Sequence, residues 1–108
     1  MLLVTTDYIA GKELEMLGMV KGSTIQTVNV FRDFGSGLKT LVGGELTKYT
    51  EMMGKAREIA TERMISEAEA LNAEALNADA IVGVRYASSS IMQSAAEVMA
   101  YGTAVRLK

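Results

Sequence analysis

ELTKYTEMMGKAREIATERMISEAEAL, residues Glu45–Leu71, is the stretch on which the reading of the whole chain depends. Leu46, Tyr49, Met53, Ala56, Ala60, Met64, Ala68 and Leu71 recur at steps of three or four, and Met52 and Ile59 widen the stripe. Lys48, Lys55, Glu58 and Glu62 lie largely off it. This is the period of an amphipathic helix. At 1.5 Å per residue it would run for about 40 Å. One long apolar stripe needs a surface to lie on, and the flanking segments are expected to supply it.

Leu2–Thr6 reads as a short strand, and Lys12–Leu17 (KELEML) as a strand or one irregular turn. Met19–Val30 is rich in β-branched residues and is bounded by Gly18, which predicts a strand. Its apolar residues do not keep a strict period of two, so a bulge or a mid-segment change of face is expected. Phe31–Val42 places Phe31, Phe34, Leu38, Leu41 and Val42 at helical spacing, weakened at Gly35 and Gly37 and stopped by Gly43-Gly44.

Beyond the long helix, Val82, Val84 and Tyr86 alternate with Ile81, Gly83 and Arg85. A linker is expected around SSSIMQSA, Ser88–Ala95. Met99, Tyr101, Thr103, Val105 and Leu107 then take one face, and Val98, Ala100, Gly102 and Ala104 the other. The small residues of that second face predict a very close neighbour. The two segments read as an antiparallel hairpin. The expected fold is a small α+β domain, a mostly antiparallel sheet covered by one short and one long helix, with all 108 residues in a single domain. Its exposed sheet edges would be disposed of by pairing between subunits.

Composition narrows the function. Hydrophobic residues make up 49% and charged residues 22%, the balance of a chain that folds. The net charge of −2, spread without a basic stripe and without Trp, points away from nucleic acid. There is no Cys and no His. Thiolate nucleophiles, imidazole bases and the usual zinc and copper ligands are thereby absent, which argues against an enzyme. MLLVTTDY lacks a cationic n-region, so it is not read as a signal peptide. No apolar run approaches the roughly 20 residues of a membrane span. A cytoplasmic protein with no membrane partner is expected.

The run FRDF (Phe31–Phe34), then LVGGE (Leu41–Glu45) and Tyr49, then KAREIA (Lys55–Ala60), resembles the YbjQ-like family of small bacterial and archaeal proteins. NADAIVGVRY (Asn77–Tyr86) and YGTAVRLK (Tyr101–Lys108) are similar to that family's strand-forming segments. The likeness runs from the amino-terminal Thr5-Thr6 to the closing GTAV. It implies a dodecin-like α+β subunit that assembles with itself into a ring, typically a pentamer. The family also carries a heavy-metal-binding label without an agreed biochemical role. No thiolate or imidazole metal site can be carried over to this sequence.

The resemblance also bears on AEALNAEALN, a pentapeptide written twice in succession, Ala68–Asn72 and Ala73–Asn77. Similar proteins reach the following turn with about one pentapeptide fewer and usually place Gly where Asn77 stands. Asn is the common second choice for a left-handed residue after a helix. A local duplication, with helical conformation persisting to about Leu76, is the expected reading. It carries no chemistry.

Candidate ligand-binding residues are few, and each has a structural alternative. Gly43, Gly44 and Glu45 lead into the long helix, whose N-terminal N–H groups favour anions, although Glu45 itself can satisfy them. Arg32 could hold an anion and Asp33 a hard cation. The preferred reading is structural, with Asp33 capping the short helix and Arg32 pairing across a subunit boundary. Tyr49, Tyr86 and Tyr101 could stack on a planar ligand, while Tyr49 is also the first large anchor of the helix. The eight Met residues form no compact cluster and read as core filler rather than a Cu(I) site. Glu58, Glu62, Glu67, Glu69 and Glu74 with Arg57 and Arg63 read as a solvated face with pairs such as Arg63–Glu67.

The sequence thus predicts a non-enzymatic ring of identical chains that binds a metal ion or small ligand at subunit interfaces, its cofactor unspecified. The alternative is an adaptor ring that recognises another protein and binds no metal. An enzyme using Asp33, Glu45 or a Tyr as acid or base ranks last.

Overall fold

The computed structural model describes residues 1–27, 44–74, 76–92 and 95–108, with side chains at 44, 45, 73 and 74 left aside. In chain order the elements are β1 (Leu2–Leu3), β2 (Leu14–Thr27), α1 (Gly44–Ala70), a 3₁₀ turn (Leu71–Glu74), β3 (Ala80–Met92) and β4 (Ala95–Leu107). The strands form one mixed sheet in the order β1-β3-β4-β2. β2 runs antiparallel to β4 along its whole length, from Leu14 opposite Leu107 to Thr27 opposite Ala95. β3 and β4 form the expected antiparallel hairpin, and β1 adds a short parallel pair beside β3.

Helix α1 lies on one face of this sheet, and its stripe forms the core. Ala56, Ala60, Met64 and Ala68 are fully buried against Val20, Ile81, Val98, Ala100 and Ala104. The small stripe residues permit close approach. A Cβ on Gly22 would collide with the helix backbone at Met64 N and Ala60 O. The small face of β4 is buried throughout, as its composition requires. On the opposite face a second cluster of Ala80, Val82 and Val105 is covered by Val4, Ile9 and Leu14.

Several expectations are corrected. Gly18 does not bound a strand. β2 begins at Leu14, so KELEML is largely strand, and the chain passes Gly18 by a register shift between Met16 and Gly18 at φ 141°. Alternation also fails at Gly83. There the register of β3 shifts, φ is 64°, and the backbone N–H donates to Thr6 O at 2.8 Å. The extra residue of a bulge reverses the side-chain phase. Hence Val82 packs on the face away from the helix, while Ile81 and Val84 share the helix side. The expected linker Ser88–Ala95 is mostly strand, since β3 continues to Met92 and β4 resumes at Ala95. The first strand is confined to Leu2–Leu3, although Val4 N–H still donates to Ile81 O and Val84 N–H to Val4 O, both at 3.0 Å. The Phe31–Val42 helix lies outside the described residues.

The duplicated pentapeptide ends the helix. The α-helical part stops at Ala70 and tightens into the 3₁₀ turn, short of Leu76. Leu71 still packs on the core. Asn77 takes the left-handed conformation at φ 54°, and Asn72 Oδ1 accepts the Ala78 N–H at 2.8 Å. Both asparagines of the repeat therefore serve the turn into β3.

Candidate functional site

α1 leans toward β2 and β4, and among the described residues the helix-side face of β3 is left uncovered beyond Val84. The opening is a cleft of about 580 Å³ lined by Gly54, Arg57, Glu58, Thr61, Glu62 and Tyr86. Next to it is a narrower slot of about 180 Å³ lined by Met53, Arg57, Tyr86, Ala87, Ser88 and Val98. Arg57 and Tyr86 belong to both and form the wall between them.

The helix period builds one side. Arg57 and Thr61 stand four residues apart on the same flank. Thr61 Oγ1 donates to Arg57 O at 2.7 Å, so its other hydrogen-bonding capacity faces the cleft. That capacity meets the Tyr86 hydroxyl at 2.8 Å, which fixes the phenol across the gap between helix and sheet. Tyr86 reaches the helix because it stands opposite Ala100, on the inner face of the hairpin. Among the described residues no carboxylate lies within ion-pair distance of Arg57, and the ion pair is Arg106–Glu15 at 2.8 Å.

The sequence candidates separate in space. Tyr86 lies in the cleft. Tyr49 is half-buried and packs with Met52, Met53 and Ala96 in a satellite cluster. Tyr101 is on the other face of the sheet, opposite Lys21 on β2 and Arg85 on β3. Arg85 is engaged there by Thr5 O at 2.8 Å. Gly44 begins α1, and Glu45 is in its first turn. Arg32, Asp33 and Gly43 lie outside the described residues. The sequence places Arg57 only on a solvated face of the helix, and it singles out neither Thr61 nor Ser88. Thr61 and Tyr86 are 25 positions apart, and only the fold brings them together.

Across the molecule, Arg63 and Glu67 do not pair with each other. Arg63 Nη1 donates to Ser23 O at 2.7 Å, and Glu67 Oε1 accepts the Lys21 N–H at 3.3 Å. Two helix side chains thus occupy outward backbone groups of the edge strand β2, a recognised way of blunting an edge.

The whole chain, residues 1–108, matches the model of the YbjQ family, whose description reads "Putative heavy-metal-binding". This chain belongs to that family. A UPF0145 protein of Clostridium novyi is 62% identical over 107 residues, covering 99% of both chains. Another, from Thermus thermophilus, is 49% identical and covers 99% of this chain and 90% of its own. A crystal structure of a protein of unknown function from Pediococcus pentosaceus, assigned to the DUF74 family, matches with a TM-score of 0.71. It covers 100% of this chain and 98% of that one at 16% identity, a likeness of fold alone.

The YbjQ description can be tested against the donors present. Heavy, soft ions favour thiolate, thioether and imidazole ligands. The chain has no Cys and no His, and among the described residues no group of three or more acidic side chains could hold an ion. Met52 and Met64 are buried in the core, whereas Met16, Met19 and Met92 are exposed at separate strand positions. The described residues do not fit a heavy-metal centre. Among them no helix is long and apolar enough to cross a membrane.

Proposed function

We propose that this chain is a cytoplasmic, non-enzymatic homo-oligomer, a single domain over residues 1–108 that closes into a dodecin-like ring, typically of five copies, and holds a small ligand where subunits meet. The observation that carries this reading is the bare outer half of β3. Every residue from Arg85 to Met92 is exposed, and among the described residues no strand pairs with that half on the side away from β4. A strand edge left open in this way is a template for another chain.

Shape supports the same reading. The radius of gyration is 17.2 Å and the extents are 53 × 27 × 17 Å, against about 13 Å for a compact domain of this length. Exposed Met19, Ile25, Ile91 and Met92 lie along the hairpin and β2. The cleft beside β3 would then sit at a subunit boundary. A small ligand is preferred to a metal ion because the donor set is wrong for soft ions. The relatives compared carry no enzymatic name.

Register specifies the test. Lys21 N–H and Ser23 C=O point away from β4, so Tyr101 and Met99 hydrogen-bond toward β3, and Tyr86, Ser88 and Ser90 direct their backbone groups to the open edge. Ser90→Pro removes one of those outward N–H groups without breaking the hairpin ladder. Light scattering should show the ring dissociating in this variant while circular dichroism stays native. A wild-type monomer at micromolar concentration would defeat the reading. A ring that binds no small molecule would favour the adaptor.

A further inference from the structure

We infer that the slot and cleft beside Tyr86 form a site for a small carboxylate with an apolar body. This deepens the ligand part of the function proposed above. The slot is lined by Met53, Val98, Ser88, Arg57 and Tyr86, and by Ala87 from a position opposite Met99, on the pleat that faces away from the helix. Its volume of about 180 Å³ suits a phenyl ring or a branched alkyl group, not a nucleotide. Sites of this kind combine apolar walls with a few polar groups that fix orientation.

Charge sets the polarity of the ligand. Arg57 is the cation common to slot and cleft, and its planar fork matches a carboxylate. Tyr86 is held by Thr61 at 2.8 Å, so one wall is already in place before a ligand arrives. Glu58 and Glu62 line the cleft but not the slot. They repel a second negative group and so select against phosphates and dicarboxylates. An amine on the ligand is tolerated there.

All lining residues belong to one chain, so binding and ring formation can fail separately. The probe is sodium phenylacetate, titrated into ¹⁵N-labelled full-length protein, with phenethylamine and inorganic phosphate as comparisons. Phenylacetate should shift the amides of Arg57, Tyr86, Ala87 and Ser88. Arg57→Met, which keeps the stem and removes the charge-assisted bonds, should weaken it by about tenfold or more. Ser88→Leu, which fills the slot from an exposed position, should abolish binding with the spectrum otherwise native. Absence of shifts at millimolar phenylacetate, equal binding of phenethylamine or phosphate, or unchanged affinity in Arg57→Met would each overturn the site. A ring that ignores phenylacetate refutes this inference and leaves the assembly standing. A monomer that binds it does the reverse.

Discussion

Gly22 is where the sheet and the helix come closest. Its missing Cβ lets the backbone of α1 rest on β2 at Ala60 and Met64, and neither backbone can yield as a flexible side chain could. Gly22→Ala is therefore expected to cost about 1–3 kcal/mol or more, as overpacking does, and urea denaturation measures it. At the other end of α1, Asn72→Ala removes the acceptor of the half-buried Ala78 N–H. About 1 kcal/mol should be lost, with faster amide exchange at Ala78. These roles were unequally legible. The left-handed Asn77 follows from its place after a helix, and the small face of β4 announced a close neighbour. Gly83 gave no such warning, because a glycine in an alternating run reads the same with or without a bulge. The exchange of faces between Val82 and Val84 is fixed by pairing with β4 and with Thr6, and neither partner is local.

Elements were read well where one period ran long enough to outweigh its exceptions. The small face of β4 is buried throughout, and the stripe of α1 is buried at Met52, Ala56, Ala60, Met64 and Ala68, while Leu46 at its start stays exposed. Glycine and serine misled in opposite ways. Gly18 looks like a boundary but lies within β2, because pairing with β4 resumes at Gly18 directly after the register shift. Ser88-Ser89-Ser90 looked like a linker but belongs to a strand that is polar because it is exposed. The helix also has a task no helical period reveals, since Arg63 and Glu67 serve the edge of β2 rather than each other. Replacing both by Ala should uncover Lys21 N–H and Ser23 C=O. Stability is expected to fall by about 1–3 kcal/mol, at 1.5 kcal/mol or less for each exposed bond, and the Lys21 amide should exchange faster. Unchanged exchange at Lys21 would remove the edge-blocking role.

For the molecule as a whole, the two sheet edges are treated differently. The β2 edge is partly occupied by its own helix, while among the described residues nothing pairs with the outer side of β3 beyond Val84. One blunted edge and one open edge make a directional unit, and head-to-tail contacts between such units close into rings when the rotation allows. The cleft of Arg57 and Tyr86 opens beside that β3 edge, so a ligand held there would lie at the proposed subunit boundary. Exposed edges are expected from the sequence, but which edge stays open, and the cleft beside it, depend on where a long helix comes to rest over a twisted sheet. The most direct measurement is native mass spectrometry of the full-length protein purified from its own host. A single closed assembly of five chains is expected, with Ser90→Pro reducing it to single chains. A wild-type spectrum of single chains alone, at concentrations where light scattering also reports a monomer, would contradict the account.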